Sequence, residues 1–205
     1  MTPHQAACAA AQAATELLPD DDQPPVLQWV GPAGVLSVVL PTLDHALGLA
    51  ANAGAPASLA EAITLVADSY HATVEYDPTD AAAAEAADAV RRGDLADRYR
   101  AGDPTVTDAL VVITVHRTPP TADMTVLPYR RQARPGWPTT IEWDAQVDHH
   151  GATVVELQGR VADHLRLGLD TAARQPYPPD TELEAWTYLA TLMAAAGLLA
   201  EVTPR

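Results

Sequence analysis

Three adjacent polar residues, Asp148, His149 and His150, carry the sharpest chemical signal in the sequence. A carboxylate beside two imidazoles can bind a divalent metal ion, and such an ion activates a bound water for attack. The alternation of residues 140–147 predicts a strand, and a helical pattern follows the triplet, which would therefore lie between a strand end and a helix N-terminus. The alternative is a polar turn in which Asp148 caps that helix. The residues alone leave both interpretations open.

The triplet resembles the signature of the Asp-His-His phosphoesterase superfamily, and this resemblance implies metal-dependent hydrolysis. That family also carries an earlier His-x-x-x-Asp-x-Asp type motif at the end of a strand. This chain departs from the pattern, because its acidic segments Asp20-Asp-Asp22 and Asp77-Pro-Thr-Asp80 lie in a predicted linker and at a predicted helix start. A small metal-dependent hydrolase is therefore an alternative and not the main prediction.

A second candidate site is a basic and aromatic segment that comprises Tyr129, Arg130, Arg131, Arg134 and Trp137. Arginine forks suit phosphate or carboxylate groups, and aromatic faces can stack on nucleobases. These residues predict a site for a small anion or a nucleotide. The competing interpretation is a hairpin loop whose arginines pair with carboxylates of the same chain.

A third cluster joins a serine and two histidines. If the segment Asp68-Ser69-Tyr70-His71 is a strand, Ser69 and His71 share one face, and His116 could lie nearby on a neighbouring strand. A serine nucleophile also needs an orienting acid and an oxyanion site, and no Gly-x-Ser-x-Gly turn is present. Polar groups at a strand end are the favoured interpretation.

Composition excludes several classes of enzyme. All 12 basic residues are arginine, so the chain has no lysine for a Walker-A loop, a kinase-type phosphate contact or a Schiff base. No two glycines have the Gly-x-Gly spacing of a dinucleotide-binding turn, and we predict no cofactor. The single cysteine, Cys8, excludes an internal disulfide and a thiolate metal cluster, and it agrees with a cytoplasmic location.

The formal net charge is -15, which predicts repulsion of nucleic acid and of anionic membranes and favours a basic protein partner. One segment differs in sign, since four arginines against Asp123 give residues 117–134 a charge of +3. The longest apolar run, residues 189–200, is too short to span a membrane and predicts a packed helix.

Hydrophobic periodicity predicts an α+β fold, with a mainly antiparallel sheet that forms a meander over about 108–147 and helices packed on it. Predicted strands are 26–30, 35–40, 109–115, 124–129 and 140–147, with an edge or bulge at Pro128. Predicted helices are 4–18, 42–53, 81–92, 94–100, one carrying Val154, Leu157, Val161 and Leu165, and a last one carrying Leu183, Trp186, Ala190 and Met193.

Residues 59–76 combine a Ser58–Glu61 capping box, which favours a helix, with a later pattern that favours a strand over about 63–68 or 72–76. The predicted organisation is an N-terminal helix and acidic linker (1–25), a core domain (26–173), and a Pro-rich linker with a C-terminal helix packed on the core (174–205).

A longer resemblance covers residues 63–147. Its motifs are Leu65-Val-Ala-Asp-Ser-Tyr, Ala101-Gly-Asp-Pro-Thr-Val-Thr-Asp-Ala-Leu-Val-Val, Leu127-Pro-Tyr-Arg and Ile141-Glu-Trp-Asp. This segment resembles small uncharacterised proteins of high-GC bacteria and their phages, and the resemblance implies neither an activity nor a site residue. The main prediction is therefore an acidic, non-enzymatic binding or interaction module.

Overall fold

The computed structural model describes residues 1–20, 22–52, 54–72, 81–82, 85, 95–150, 156–174 and 177–205, and the side chains of 149–150 and 156–160 lie outside that description. Its strands are β1 Val26–Val30, β2 Gly34–Val39, β3 Ala62–Ala72, β4 Val106–His116, β5 Ala122–Gln132, β6 Thr140–Trp143, β7 Val147–His150 and β8 Leu199–Pro204. Its helices are α1 Pro3–Leu17, α2 Leu43–Asn52, α3 Gly54–Leu59, α4 Leu95–Arg100, α5 Glu156–Thr171 and α6 Pro179–Ala195. The predicted helix over 81–92 lies outside the described residues except at 81, 82 and 85.

Within these residues the eight strands form one antiparallel sheet, which confirms the predicted α+β class. The strand order is β6-β5-β4-β3-β1-β2-β8, and β7 also pairs with β5. The β-branched run 109–115 predicts a strand buried on both faces, and it forms the middle of β4. Residues Leu110 and Val112 are buried on one face of β4, and Ala109, Ile113 and Val115 are buried on the other.

Helices cover both faces of this sheet. On one face, α1 packs Ala7 and Ala11 into a small cluster with Leu110 and Leu127. On the other face, α2, α3, α5 and α6 enclose the larger core, to which Trp29 and Trp186 contribute. The predicted face of the last helix is confirmed, because Trp186 is fully buried and Leu183, Ala190 and Met193 are half-buried. None of the described helices combines the length and the apolar character needed to cross a bilayer.

The predicted strand over 140–147 is wrong as a single strand, because it is split into β6 and β7 beside Pro128. The Pro128 carbonyl accepts a hydrogen bond from the Asp144 N–H at 2.9 Å, so the proline ring nitrogen also faces this side of β5. A proline nitrogen has no hydrogen to donate to a ladder. The pairing partner therefore breaks there, with β6 paired to residues 129–132 of β5 and β7 paired to residues 123–126.

Two other segments differ from their sequence patterns. Residues 62–72 form one long strand, which is one of the two alternatives for 59–76, and Ser58 donates back to the Ala55 carbonyl at 2.7 Å near the end of α3 instead of capping a new helix. The apolar run 189–200 is also not one helix, because α6 ends at Ala195 and Gly197 turns the chain at φ +83° into β8. Pairing of β8 with β2 then ties the C-terminal segment into the sheet.

Arg117, counted above in the basic segment 117–134, holds three elements together. Its guanidinium donates to the carbonyl oxygens of Ala57 at 2.7 Å, Ala60 at 3.1 Å and Ala172 at 2.9 Å. These carbonyls lie in or just after the last turns of α3 and α5, where backbone acceptors have no partner within the helix. Its charge is therefore directed at backbone groups of the chain itself.

Candidate functional site

A groove of about 750 Å³ lies between α2 and α5. Its floor is the central part of the sheet and consists of Leu65, Ala67, Ser69, Val111 and Ile113. Ala67, Ser69 and Val111 are only half-buried, although central strands of a sheet covered on both sides are ordinarily buried. A volume of this size falls within the ~300–1,000 Å³ typical of ligand pockets.

Small residues explain why the groove exists. The two helices approach so closely at one point that a Cβ on Gly168 would lie 2.0 Å from the Ala50 carbonyl oxygen. Beside this contact α2 presents Gly48 and Ala51, and the floor beneath carries Ala67. These short side chains leave open the space that larger ones would fill.

The walls combine apolar surface with a few polar groups. Leu43 and Leu167 line the groove and are 39% and 50% exposed, which is unusual for large apolar side chains. Polar residues of the lining are Asp44, Asn52, Asp68, Ser69 and His164, but the Asp68 carboxylate accepts from the Gln23 N–H on the opposite side of the sheet. Asp44 gives the groove a negative charge, so the arrangement suits an apolar group attached to a cation.

The predicted basic and aromatic site does not come together as one surface. Residues alternate between the faces of β5, so Arg130 and Arg131 point to opposite sides of the sheet. Tyr129 is only 1% exposed and packs at 5.3 Å against the ring of Trp143. Burial, together with the charge of Asp68, raises the pKa of Tyr129 to about 12. Tyr129 is therefore a core residue.

Arg130 and Arg131 both pair with carboxylates of the chain, as the competing interpretation predicts. Arg130 lies 3.3 Å from Asp144, and Arg131 donates to Asp22 at 2.9 Å and lies 3.8 Å from Asp108. These pairs connect β5 to the loop after β6 and to the linker before β1. Arg134 and Trp137 lie apart from them, exposed in the loop between β5 and β6.

The predicted metal triplet lies in β7, where Asp148 pairs with Thr125 across the sheet. The Asp148 carboxylate accepts from Thr125 at 2.6 Å and from Gln146 at 2.8 Å. The helix-cap interpretation is wrong, because Asp148 lies within a strand and its carboxylate is bonded to these two side chains. In the part of the chain that the structure describes, no three His, Cys, Asp or Glu side chains are grouped as metal ligands. The side chains of His149 and His150 lie outside that part, so the metal site stays a prediction.

Sequence reasoning missed a buried polar network beneath α1. His4 is 5% exposed, and its ring nitrogens lie 2.8 Å from Thr114 Oγ1 and 2.9 Å from Thr125 Oγ1. The Thr125 hydroxyl gives its only proton to Asp148, so the Nε2 of His4 donates to Thr125. Thr114 in turn bonds Thr64 at 2.9 Å. The network joins the first turn of α1 to β3, β4, β5 and β7.

Cys8 touches this network but is not an activated thiol. Its Sγ lies 3.8 Å from His4 Nε2. Burial is the largest influence on the thiol and raises its pKa, and the charge of Asp148 acts in the same direction. Since the thiolate is the nucleophilic form, this environment opposes reactivity.

The serine and histidine cluster is not assembled either. Ser69 and His71 share one face of β3, as predicted, but no hydrogen bond joins them within the described structure. His116 pairs with Ala62, at the other end of β3. Seven residues of strand, about 23 Å, separate this position from Ser69.

Among the described carboxylates, Asp68 has the largest upward shift of its pKa. It lies half-buried on the α1 side of β3 and accepts the backbone N–H of Gln23 from the linker between α1 and β1. Burial raises the pKa of Asp68 to about 6, and Asp22 and Asp108 add to the rise, while the Gln23 N–H and Arg131 oppose it. The linker is thus held by a carboxylate whose ionised form is disfavoured.

We expect Asp68→Asn to stabilise the protein at pH 7–8. The pKa of Asp68 is higher in the folded protein, about 6, than in an unfolded chain, about 3.9, so its contribution to stability is full only below the unfolded pKa and is lost as the pH rises from there through 6. The neutral amide removes this loss, so the free energy of unfolding at pH 8 should be higher than that of the parent protein. The increase should be at most about 1 kcal/mol, because solvent screens the charge of a half-exposed carboxylate. Urea unfolding at several pH values measures it.

The exposed Asp97→Asn is the control for this pH series, because it replaces a carboxylate by the same amide on the short helix α4. A parallel response of Asp68→Asn and Asp97→Asn would contradict the assignment of the shift to Asp68.

Comparison with known proteins gives no further assignment. No protein-family model, no curated protein and no solved structure matches the chain. The functional interpretation therefore depends on the geometry of the groove and of the exposed loop.

The groove itself was not predicted from the sequence. Its lining comes from four separated segments, within 43–52, 65–69, 111–113 and 161–167. The available signal was weak: a glycine at position 48, inside a helical pattern, and small residues at 67 and 69 in a strand.

Proposed function

We propose that this protein is a non-enzymatic binding module. Its groove between α2 and α5 binds an apolar side chain of a partner protein, and basic residues of the partner flank that side chain. The observation that carries the proposal is the half-exposed floor of Ala67, Ser69 and Val111 beneath walls that expose Leu43 and Leu167. Such a surface stabilises an apolar anchor by removing its area from water, at about 25 cal/mol per Å².

Electrostatics supports a basic partner. The chain carries a net charge of -15, and Asp44 lies in the groove itself. A field of this sign attracts cationic segments and speeds their association, and the effect weakens as salt increases.

Two other functions stay alternative predictions. One is metal-dependent hydrolysis at Asp148, His149 and His150, and the other is anion binding at Arg130, Arg131 and Arg134. The cytoplasmic location and the resemblance of residues 63–147 also stay predictions.

The test uses a short fluorescent peptide with a central Trp flanked by Arg, and a matched peptide with Glu in place of Arg. Anisotropy titrations should give saturable binding of the Arg peptide that weakens with added salt. Ala67→Phe fills the floor and should weaken binding at least about tenfold, or 1.4 kcal/mol. Asp44→Lys should weaken it and reduce the salt dependence.

Glu201→Lys is the matched control, because it changes the net charge as Asp44→Lys does but lies on β8, outside the groove lining. Equal effects of the two lysine variants would show that only the overall charge matters. Equal binding of the Arg and Glu peptides, or no binding of either, would overturn the proposal.

A further inference from the structure

The loop between β5 and β6 ends in a preformed turn. The Trp137 N–H donates to the Arg134 carbonyl at 3.0 Å, Pro135 holds the second position, and Gly136 has φ +79°. Proline at the second position and a positive φ at the third define a type II turn. The side chains at its two ends are therefore presented with little loss of conformational entropy on binding.

These two side chains are of the kinds that dominate protein interfaces. Trp137 is 76% exposed, and Arg134 is exposed beside it. Trp and Arg are enriched among the residues that contribute most to binding energy. Unlike Arg130 and Arg131, Arg134 has no ion-pair partner among the described residues. We call residues 134–137 the hairpin tip.

We propose that the hairpin tip of one copy docks into the groove between α2 and α5 of a second copy, with Trp137 on the apolar floor and Arg134 beside Asp44. The inference rests on the proposed function, because it names the partner of the same groove. Its basis is complementarity: the groove suits an apolar group next to a cation, and the tip presents both. Burial of a Trp side chain removes about 150–250 Å² from water. The groove volume of about 750 Å³ lies within the ~300–1,000 Å³ of pockets that bind small ligands.

The proposed contact joins two different surfaces, so it is heterologous and can continue from copy to copy. Each copy carries a charge of -15, and long-range repulsion opposes assembly. At physiological ionic strength charges are screened beyond about 8 Å, while the contact between Arg134 and Asp44 acts at shorter range. We therefore expect weak, reversible association that increases with protein concentration.

A complementation experiment tests the contact. Sedimentation velocity should show concentration-dependent association of the parent protein, whereas Trp137→Ala, with a defective tip, and Ala67→Phe, with a defective groove, should each remain monomeric. A mixture of the two variants keeps one intact tip and one intact groove and should form a one-to-one pair. A monomeric parent protein at every concentration, or a mixture that forms no pair, would overturn the inference.

A second pair of variants covers the case in which Ala67→Phe does not fold. Arg134→Asp and Asp44→Arg should each weaken association at least about tenfold, and the double variant should recover most of it. Failure of the double variant to recover would count against the pairing.

The peptide titration separates the two proposals. It is carried out on Trp137→Ala, whose groove is intact. If the Trp and Arg peptide binds Trp137→Ala but the parent protein stays monomeric, the groove binds a different partner and the self-association is wrong. If the peptide does not bind, both proposals fail.

Discussion

Replacing Gly168 with Ala should lower the free energy of unfolding by about 3 kcal/mol, at the upper end of what overpacking costs. The added Cβ would lie 2.0 Å from the Ala50 carbonyl oxygen and 3.0 Å from its carbon, and both are backbone atoms that no rotamer change can move. Helices α2 and α5 must then separate, and burial around Ala46 and Leu165 is lost with them. Urea unfolding followed by circular dichroism measures the loss.

Gly48→Ala is the matched control in the partner helix. A Cβ there meets no atom within 4 Å, so the substitution should stabilise the helix by about 0.5–1 kcal/mol through its higher helix propensity. If Gly168→Ala lowers the free energy of unfolding and Gly48→Ala raises it, the result would support the close approach of the helices. A gain in stability for Gly168→Ala would mean that α2 and α5 do not touch there, and the shape of the groove would have to be revised.

His4→Ala should lower the free energy of unfolding by about 2–4 kcal/mol. Removal of the imidazole leaves two buried hydroxyl groups without this partner and leaves a cavity under α1. Thr114 and Thr125 are 0% and 2% exposed, so water cannot replace the lost bonds without opening the structure. Loosening of α1 should also speed the modification of Cys8, the single cysteine, by a thiol reagent. Unfolding and modification rates are thus two independent readouts.

His45→Ala is the control for this loss. His45 also contacts a threonine hydroxyl, that of Thr42 at 2.6 Å, but both residues are exposed and water can take the place of the ring. Its cost should stay below about 0.5 kcal/mol. Similar costs for His4→Ala and His45→Ala would mean that the network does not anchor α1.

Local sequence patterns predict much of the sheet, because they reflect local physics. The β-branched run 109–115 identifies β4, and the two apolar runs around residues 31–34 identify the hairpin of β1 and β2. Pro128 marks the place where pairing changes, since a missing N–H affects a ladder whatever the rest of the fold. The break between β6 and β7 was not predicted, because it depends on which edge of β5 the proline nitrogen faces.

Contacts between distant segments could not be predicted in this way. The alternation of residues along β5 separates Arg130 from Arg131, and only the position of the linker after α1 shows that Asp22 reaches Arg131. The burial of His4 depends on Thr114 and Thr125, more than a hundred residues away. The edge strand β8 begins inside the apolar run 189–200, which predicts a helix, and its partner β2 lies far away along the chain.

The proposed function requires that the groove between α2 and α5 binds an apolar group flanked by basic residues. Its most direct test is a titration of ¹⁵N-labelled Trp137→Ala protein with the Trp and Arg peptide, followed by backbone amide chemical shifts. We expect saturable chemical-shift changes at Leu47, Ala51, Ala67 and Leu167, which line the groove. Shifts confined to α6 and β8, or no saturable shift at any amide, would contradict it.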